Sequence, residues 1–112
     1  MSGREYLGEF EQVVLLALLR LGKGAYGATI HEAILETTGR DVSIPAVYVT
    51  LKRLEKKGLV RSKVQSSGNS GGRATRNYFL RAEGERALGR SREMLERLWT
   101  GVVAGPRGTR NE

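Results

Sequence analysis

The sequence predicts an α+β fold that is mainly α: three helices, a two-stranded hairpin and one long closing helix. Three observations carry that expectation. Apolar residues recur at helical spacing in three successive segments before residue 58. Two runs rich in β-formers, LVRSKV and RNYFL, then flank QSSGNSGGRAT, a connector with almost no apolar side chain. Helical periodicity resumes at about residue 82.

The elements follow in order. FEQVVLLALLRLG reads as a helix apolar on most of its circumference, with Gly22 and Gly24 as its stop, so it belongs either at the centre of the domain or in a subunit interface. YGATIHEAILETTG puts Ile30, Ala33, Ile34 and Thr37 at helical spacing and ends at Gly39. The third helix opens at Ser43, a good N-cap, carries Pro45 in its first turn where the missing N–H costs nothing, and ends at Gly58. Val47, Leu51 and Leu54 form its inward stripe, while Pro45, Val49, Lys52, Arg53 and Lys56 occupy the other side. The two β-runs read as a hairpin with QSSGNSGGRAT at a flexible tip. On the last helix Leu88, Ser91, Leu95, Leu98, Trp99 and Val102 share one side, and GPRGTRNE has no periodicity. The expected division is therefore 1–81 as the domain proper, 82–104 as a C-terminal helix and 105–112 as a disordered tail.

A chain of 112 residues that is 39% hydrophobic can build one domain with a modest core, so a single function has to sit on one small fold. There is no cysteine and His31 is the only histidine, which removes thiolate metal sites, histidine clusters and Cys/His or Ser/His/Asp nucleophile sets. Neither a metal, a cofactor nor an enzymatic activity is expected. The start MSGREYLGEFEQ lacks a basic leader, and the longest apolar run, Val13 to Leu19, is far below bilayer-spanning length, so a cytoplasmic protein with no membrane partner is expected.

The net charge of +7 is informative through its location. Residues 40–86 hold eleven Lys/Arg against four Asp/Glu, as large an excess as that of the whole chain, and so concentrated a cationic segment suits a polyanion. Three helices followed by a hairpin is the winged helix-turn-helix plan, in which the third helix enters the DNA major groove and the hairpin rides over an adjacent backbone. Pro45, Ala46 and Val49 are placed to face base edges, with Lys52, Arg53 and Lys56 reaching phosphates. Few of these side chains can hydrogen-bond to bases, so specificity leans on thymine methyl contacts, Tyr48, the wing and DNA shape. Lys63, Arg73 and Arg76 flank a tip of small residues, an arrangement fit for a phosphate ridge or a minor groove; a solvated loop is the competing reading.

At this point the sequence resembles the PadR family of bacterial transcriptional regulators, from Val14 to about Val102. The matching pieces are LLALLRLGKGAYGATIHEAI, SIPAVYVTLKRLEKKGLVRS and GRATRNYFLRAEG; Tyr48, Leu51, Arg53, Leu54, Glu55, Gly58 and Leu59 fall on the family's tyrosine, RLE and GL positions, and Gly72, Arg73, Arg76 and Tyr78 on its wing. Ala28 stands where the family usually has tyrosine, Tyr26 where histidine is common, and Arg81 where threonine commonly opens the final helix, so an N-cap is lost. The resemblance implies a homodimer that binds a palindromic double-stranded operator and represses transcription, with Tyr26, Ser43 and Tyr48 joining the DNA-binding set. It also implies the short-tailed branch, in which the C-terminal helix packs with helix one of the partner. Val14, Leu18, Leu88, Leu95, Leu98 and Val102 are the expected dimerisation residues. Members of that branch include regulators of flat, lipophilic compounds bound at the dimer centre, which makes Trp99 the candidate contact for a small lipophilic effector; plain interface core is its competing role. Two other functions fit the same fold, a winged-helix module that meets an acidic protein and a non-specific nucleic-acid binder.

Overall fold

The computed structural model of the chain describes residues 6–66 and 74–102. Four helices and one hairpin follow in the expected order: α1 (Glu9–Leu21), α2 (Gly27–Thr38), α3 (Ile44–Lys56), β1 (Val60–Ser66), β2 (Ala74–Leu80) and α4 (Ala82–Trp99). Local chemistry sets most of the boundaries. Ser43 caps α3 by accepting the Ala46 amide at 3.1 Å, and Pro45 lies in the first turn as expected. Gly58 follows at φ 79°, a left-handed backbone that turns the chain out of the helix and into β1 at little cost only without a β-carbon. Arg81 precedes α4 and supplies no side-chain cap, as its difference from threonine implies.

Val14, Leu15 and Leu18 of α1 meet Ile30 and Ile34 of α2, Val47, Leu51 and Leu54 of α3, Val60 and Tyr78 of the hairpin, and Leu88 of α4 in one core. The wing is locked to it by the segment between α1 and α2, where the Tyr78 amide donates to the Ala25 carbonyl at 2.8 Å and adds a bridge to the edge of β2. Within the hairpin the strands are antiparallel, with Val60 opposite Leu80, Ser62 opposite Tyr78 and Val64 opposite Arg76.

The expected dimerisation residues divide in two. Val14, Leu18 and Leu88 are 0%, 2% and 8% exposed in the single chain, so their side chains pack into their own core. The apolar side chains that α1 does present outward are Leu16 and Leu19. Leu95, Leu98, Trp99 and Val102 are all exposed. Val102 is not on the helix, however: α4 ends at Trp99, Gly101 takes φ 85°, and the Val102 amide bonds back to the Trp99 carbonyl at 2.9 Å in a turn. The helix expected over 82–104 is thus shorter, and the expected tail lies outside the described residues. Of the residues at helical spacing on α2, Ile30 and Ile34 are buried and Thr37 is exposed.

Candidate nucleic-acid interface

α3 carries two opposed faces. Val47, Thr50, Leu51 and Leu54 are buried; Pro45, Ala46, Val49, Lys52, Arg53 and Lys56 are exposed. Val49, Lys52, Arg53, Glu55 and Lys56 line a shallow open groove on the outer face. Val49 is its apolar side chain and Lys52, Arg53 and Lys56 are its cations, beside the acidic Glu55, a set that suits contact with base methyls flanked by phosphates. Ser43, a candidate DNA contact, has an acceptor site committed to the cap, and its hydroxyl proton is not used by that bond.

The turn before α3 is held by the first helices. The Tyr48 ring lies directly against Gly27 at the start of α2, where a β-carbon would overlap the ring's Cζ and hydroxyl. Gly27 therefore sets the position of the most prominent aromatic on the recognition face. Tyr26 is the neighbouring N-cap; Thr29 Oγ1 accepts its amide at 3.0 Å and donates to its carbonyl, and the Tyr26 side chain is partly exposed.

The strand register sorts the wing cations. Side chains alternate along a strand, so Val60, Ser62 and Val64 share a face with Leu80, Tyr78 and Arg76, and this is the face that carries the buried Val60 and Tyr78. Arg61 and Lys63 fall on the opposite face, where the Arg61 guanidinium lies 4.4 Å from the centre of the Phe79 ring. The structure thus separates Lys63 from Arg76, which sequence order alone had grouped. Arg73, the third expected wing contact, lies outside the described residues. Burial, above all, pushes the Tyr78 phenol up from its ordinary range, against the opposing pull of Arg76.

Four residues to which sequence reasoning gave no role at the site, Glu55, Ser62, Glu11 and Lys57, organise this surface. Arg76 donates through Nη1 to Ser62 Oγ at 2.8 Å, and Ser62 Oγ donates to Glu55 Oε2 at 2.8 Å, joining β2, β1 and α3. At the far end of α3, Glu11 of α1 accepts Lys57 Nζ at 2.9 Å and the Gly8 amide at 2.9 Å. Burial opposes the charge on Glu11 more than any other single influence, yet the Gly8 amide, Lys57 and Arg53 together hold its carboxyl below the ordinary range. The Gly8 bond was legible as half of a capping box, with glutamate three residues after the N-cap. The pairing with Lys57, 46 residues away, carried no local signal. Among the described residues no group of three acidic, histidine or cysteine side chains is placed to hold a metal, and no helix is long and apolar enough to cross a membrane.

A cationic helix presented beside a two-stranded wing defines a winged-helix protein. The family model described as the transcriptional regulator PadR-like family matches residues 15–90, and the chain belongs to that family. No curated protein matches it. Among solved structures it is similar to a PadR family transcription regulator from Eggerthella lenta DSM 2243, at 27% identity and a TM-score of 0.65, covering 83% of this chain and 81% of that one. A PadR family regulator from hypervirulent Clostridium difficile R20291 shares 24% identity over 83% of this chain and 96% of that one, with a TM-score of 0.68. F93 from STIV, a winged-helix DNA-binding protein, gives 0.66 at 16% identity over 84% and 95%. At such identities the last two speak for the fold alone.

Proposed function

We propose that this protein is a dimeric, sequence-specific repressor that binds a palindromic DNA operator. The observation that carries the reading is the outer face of α3, where Ala46 and Val49 are exposed between Lys52, Arg53 and Lys56 while the opposite stripe is buried. One such helix fits a major groove about 12 Å wide, and Arg76, on the same wing face as Tyr78, lies on the strand that pairs across to β1. Membership of the transcriptional regulator PadR-like family supports the same use of the fold.

Dimerisation is supported by the distal part of α4. Leu98 and Trp99 are 68% and 60% exposed, and a small chain gains by covering them with a second copy. Trp99, exposed at the end of α4, is the contact proposed for a small lipophilic effector and its reporter, because it is the only tryptophan in the sequence. Cytoplasmic location is the setting in which such a repressor works.

The test is a gel shift on the promoter upstream of its own gene against scrambled duplex at two salt concentrations, paired with transcription from that promoter. Selective retention with lowered transcription supports the repressor. Equal retention of both duplexes gives a non-specific binder, and no retention of either gives a module that meets an acidic protein. Light scattering at micromolar concentration reads the dimer, and a stable monomer refutes it. Planar lipophilic cations that quench Trp99 and weaken operator binding together establish an effector; quenching without weakening leaves an adventitious apolar site.

A further inference from the structure

We infer that Ser62 and Glu55 are positioning residues for DNA binding: they form a relay, Glu55–Ser62–Arg76, that fixes the wing arginine against the recognition helix before any DNA is bound. The inference rests on the reading of Arg76 as a phosphate ligand and goes beyond it, because it assigns a role to two residues that carry no positive charge.

The geometry is directional. One Arg76 N–H group donates to Ser62 Oγ at 2.8 Å, and the hydroxyl passes its own proton to Glu55 Oε2 at 2.8 Å. Ser62 therefore acts as acceptor and donor at once, and only a hydroxyl side chain can do both at that length. The strand register explains why they meet. Arg76 stands opposite Val64, so Ser62 is its diagonal neighbour on the same face, within reach of a long side chain. Glu55 sits on α3 between Leu54, which is buried, and Lys56, on the lip of the outer groove.

Two physical consequences follow. A guanidinium has five N–H donors, so an arginine held by one nitrogen keeps others for a phosphate while its long side chain has fewer conformations to lose on binding. An acidic group on a DNA-facing helix repels phosphate; linking it through a hydroxyl to a cation offsets that repulsion where the wing and helix meet. The relay also ties two elements that contact DNA separately, so the angle between α3 and the wing is set by side chains as well as by the Gly58 turn.

A double-mutant cycle on operator affinity tests the relay. Arg76→Ala should weaken binding and lower the slope of log affinity against log salt by about 0.9, the contribution of one phosphate contact. Ser62→Ala should weaken binding by about 3- to 10-fold, the scale of one oriented hydrogen bond, although it removes no charge. In the Arg76→Ala background Ser62→Ala should do nothing further, because its effect passes through Arg76. Ser62→Thr keeps the hydroxyl and Glu55→Gln keeps an acceptor oxygen, and both should restore most of the affinity; thermal unfolding of every variant confirms that the hairpin is intact. Losses that add in the double variant, or an Ser62→Ala protein that binds like wild type, overturn the relay while leaving Arg76 at the interface. An Arg76→Ala protein with unchanged affinity and slope overturns the phosphate reading and the relay with it.

Discussion

α3 and α4 are both amphipathic, and their apolar stripes meet different fates. On α3 the stripe Val47, Leu51, Leu54 is buried along its whole length by α1 and α2, and the cations Lys52, Arg53 and Lys56 remain outside with Val49 and Glu55. On α4 the stripe starts in the same way, with Gly84, Ala87, Leu88 and Ser91 buried, then runs on through Leu95 and Leu98 to Trp99 with nothing of the described chain over it. Gly84 shows how tightly the first half is seated, since a β-carbon there would collide with the Leu59 carbonyl and with Leu80. Periodicity reports which face of a helix is apolar; it does not report whether the same chain covers that face. Under the proposed function a second copy covers the exposed half of α4 and a polyanion meets the exposed half of α3.

Truncating one residue in each stripe should separate the two fates. Leu51→Ala empties a fully buried site and should cost about 2 to 5 kcal/mol of stability at every protein concentration, read by denaturant unfolding. Leu95→Asp, at the start of the uncovered stretch, should cost several kcal/mol only by way of dimerisation, since it places an unpaired charge in that interface. Its stability should then match that of the wild type at low concentration, where the wild type is itself dissociated, and light scattering should give half the wild-type mass at high concentration. A Leu95→Asp protein that loses stability equally at all concentrations would mean that the distal half of α4 is covered within its own chain.

The same contrast explains what could be read beforehand. The Ser43 cap, Pro45 in the first turn, the Val47–Leu51–Leu54 stripe and the stop at Gly58 were all legible because each depends on residues within a few positions. The allocation of Val14 and Leu18 to an interface was not, because a helix apolar on most sides looks the same whether its own core or a partner covers it. Gly101 gave a local signal for the end of α4 before Val102, and a stripe extended at constant period ran past it. Lys63 and Arg76 separate into opposite faces only once the register of the hairpin is known, and a long connector leaves that register open. The contacts Tyr48–Gly27, Arg76–Ser62 and Lys57–Glu11 join residues far apart in the chain, and no pattern in one sequence marks such pairs.

The cationic half of the comparison is sharpened by salt. Arg53→Ala removes one exposed guanidinium from the groove of α3 and should lower the salt slope of operator affinity by about 0.9, weakening scrambled duplex to a similar degree. Val49→Ala removes no charge. It should leave the slope unchanged and reduce discrimination between operator and scrambled duplex by about 1 kcal/mol, the low end for one specific base contact. A slope that moves with Val49 and not with Arg53 would exchange their roles.

The smallest effect is expected at the joint that holds α3 against α1. Glu11 is 7% exposed and accepts both the Gly8 amide and Lys57, and these partners hold its carboxyl below the ordinary range despite the opposing influence of burial. A carboxylate whose folded pKa lies below its unfolded value binds fewer protons when folded, so its contribution to stability is fully present above the unfolded value of about 4.5. As pH falls from there through the depressed folded value the contribution is lost, because protonation removes the charge that Lys57 and the Gly8 amide stabilise. Thermal unfolding of the wild type should therefore show a fall in midpoint that begins near pH 5 and deepens as the solution becomes more acid, to which Glu11 adds one share. Glu11→Gln keeps an acceptor for the Gly8 amide and cannot titrate. Its midpoint should lie below that of the wild type at pH 7 and approach it at pH 3, while operator affinity at pH 7 changes little, since Glu11 does not itself line the groove and touches it only through the charge of Arg53. A constant gap between the two proteins from pH 7 to pH 3 would show that Glu11 acts through its packing and its bond to Gly8, with no part played by its charge.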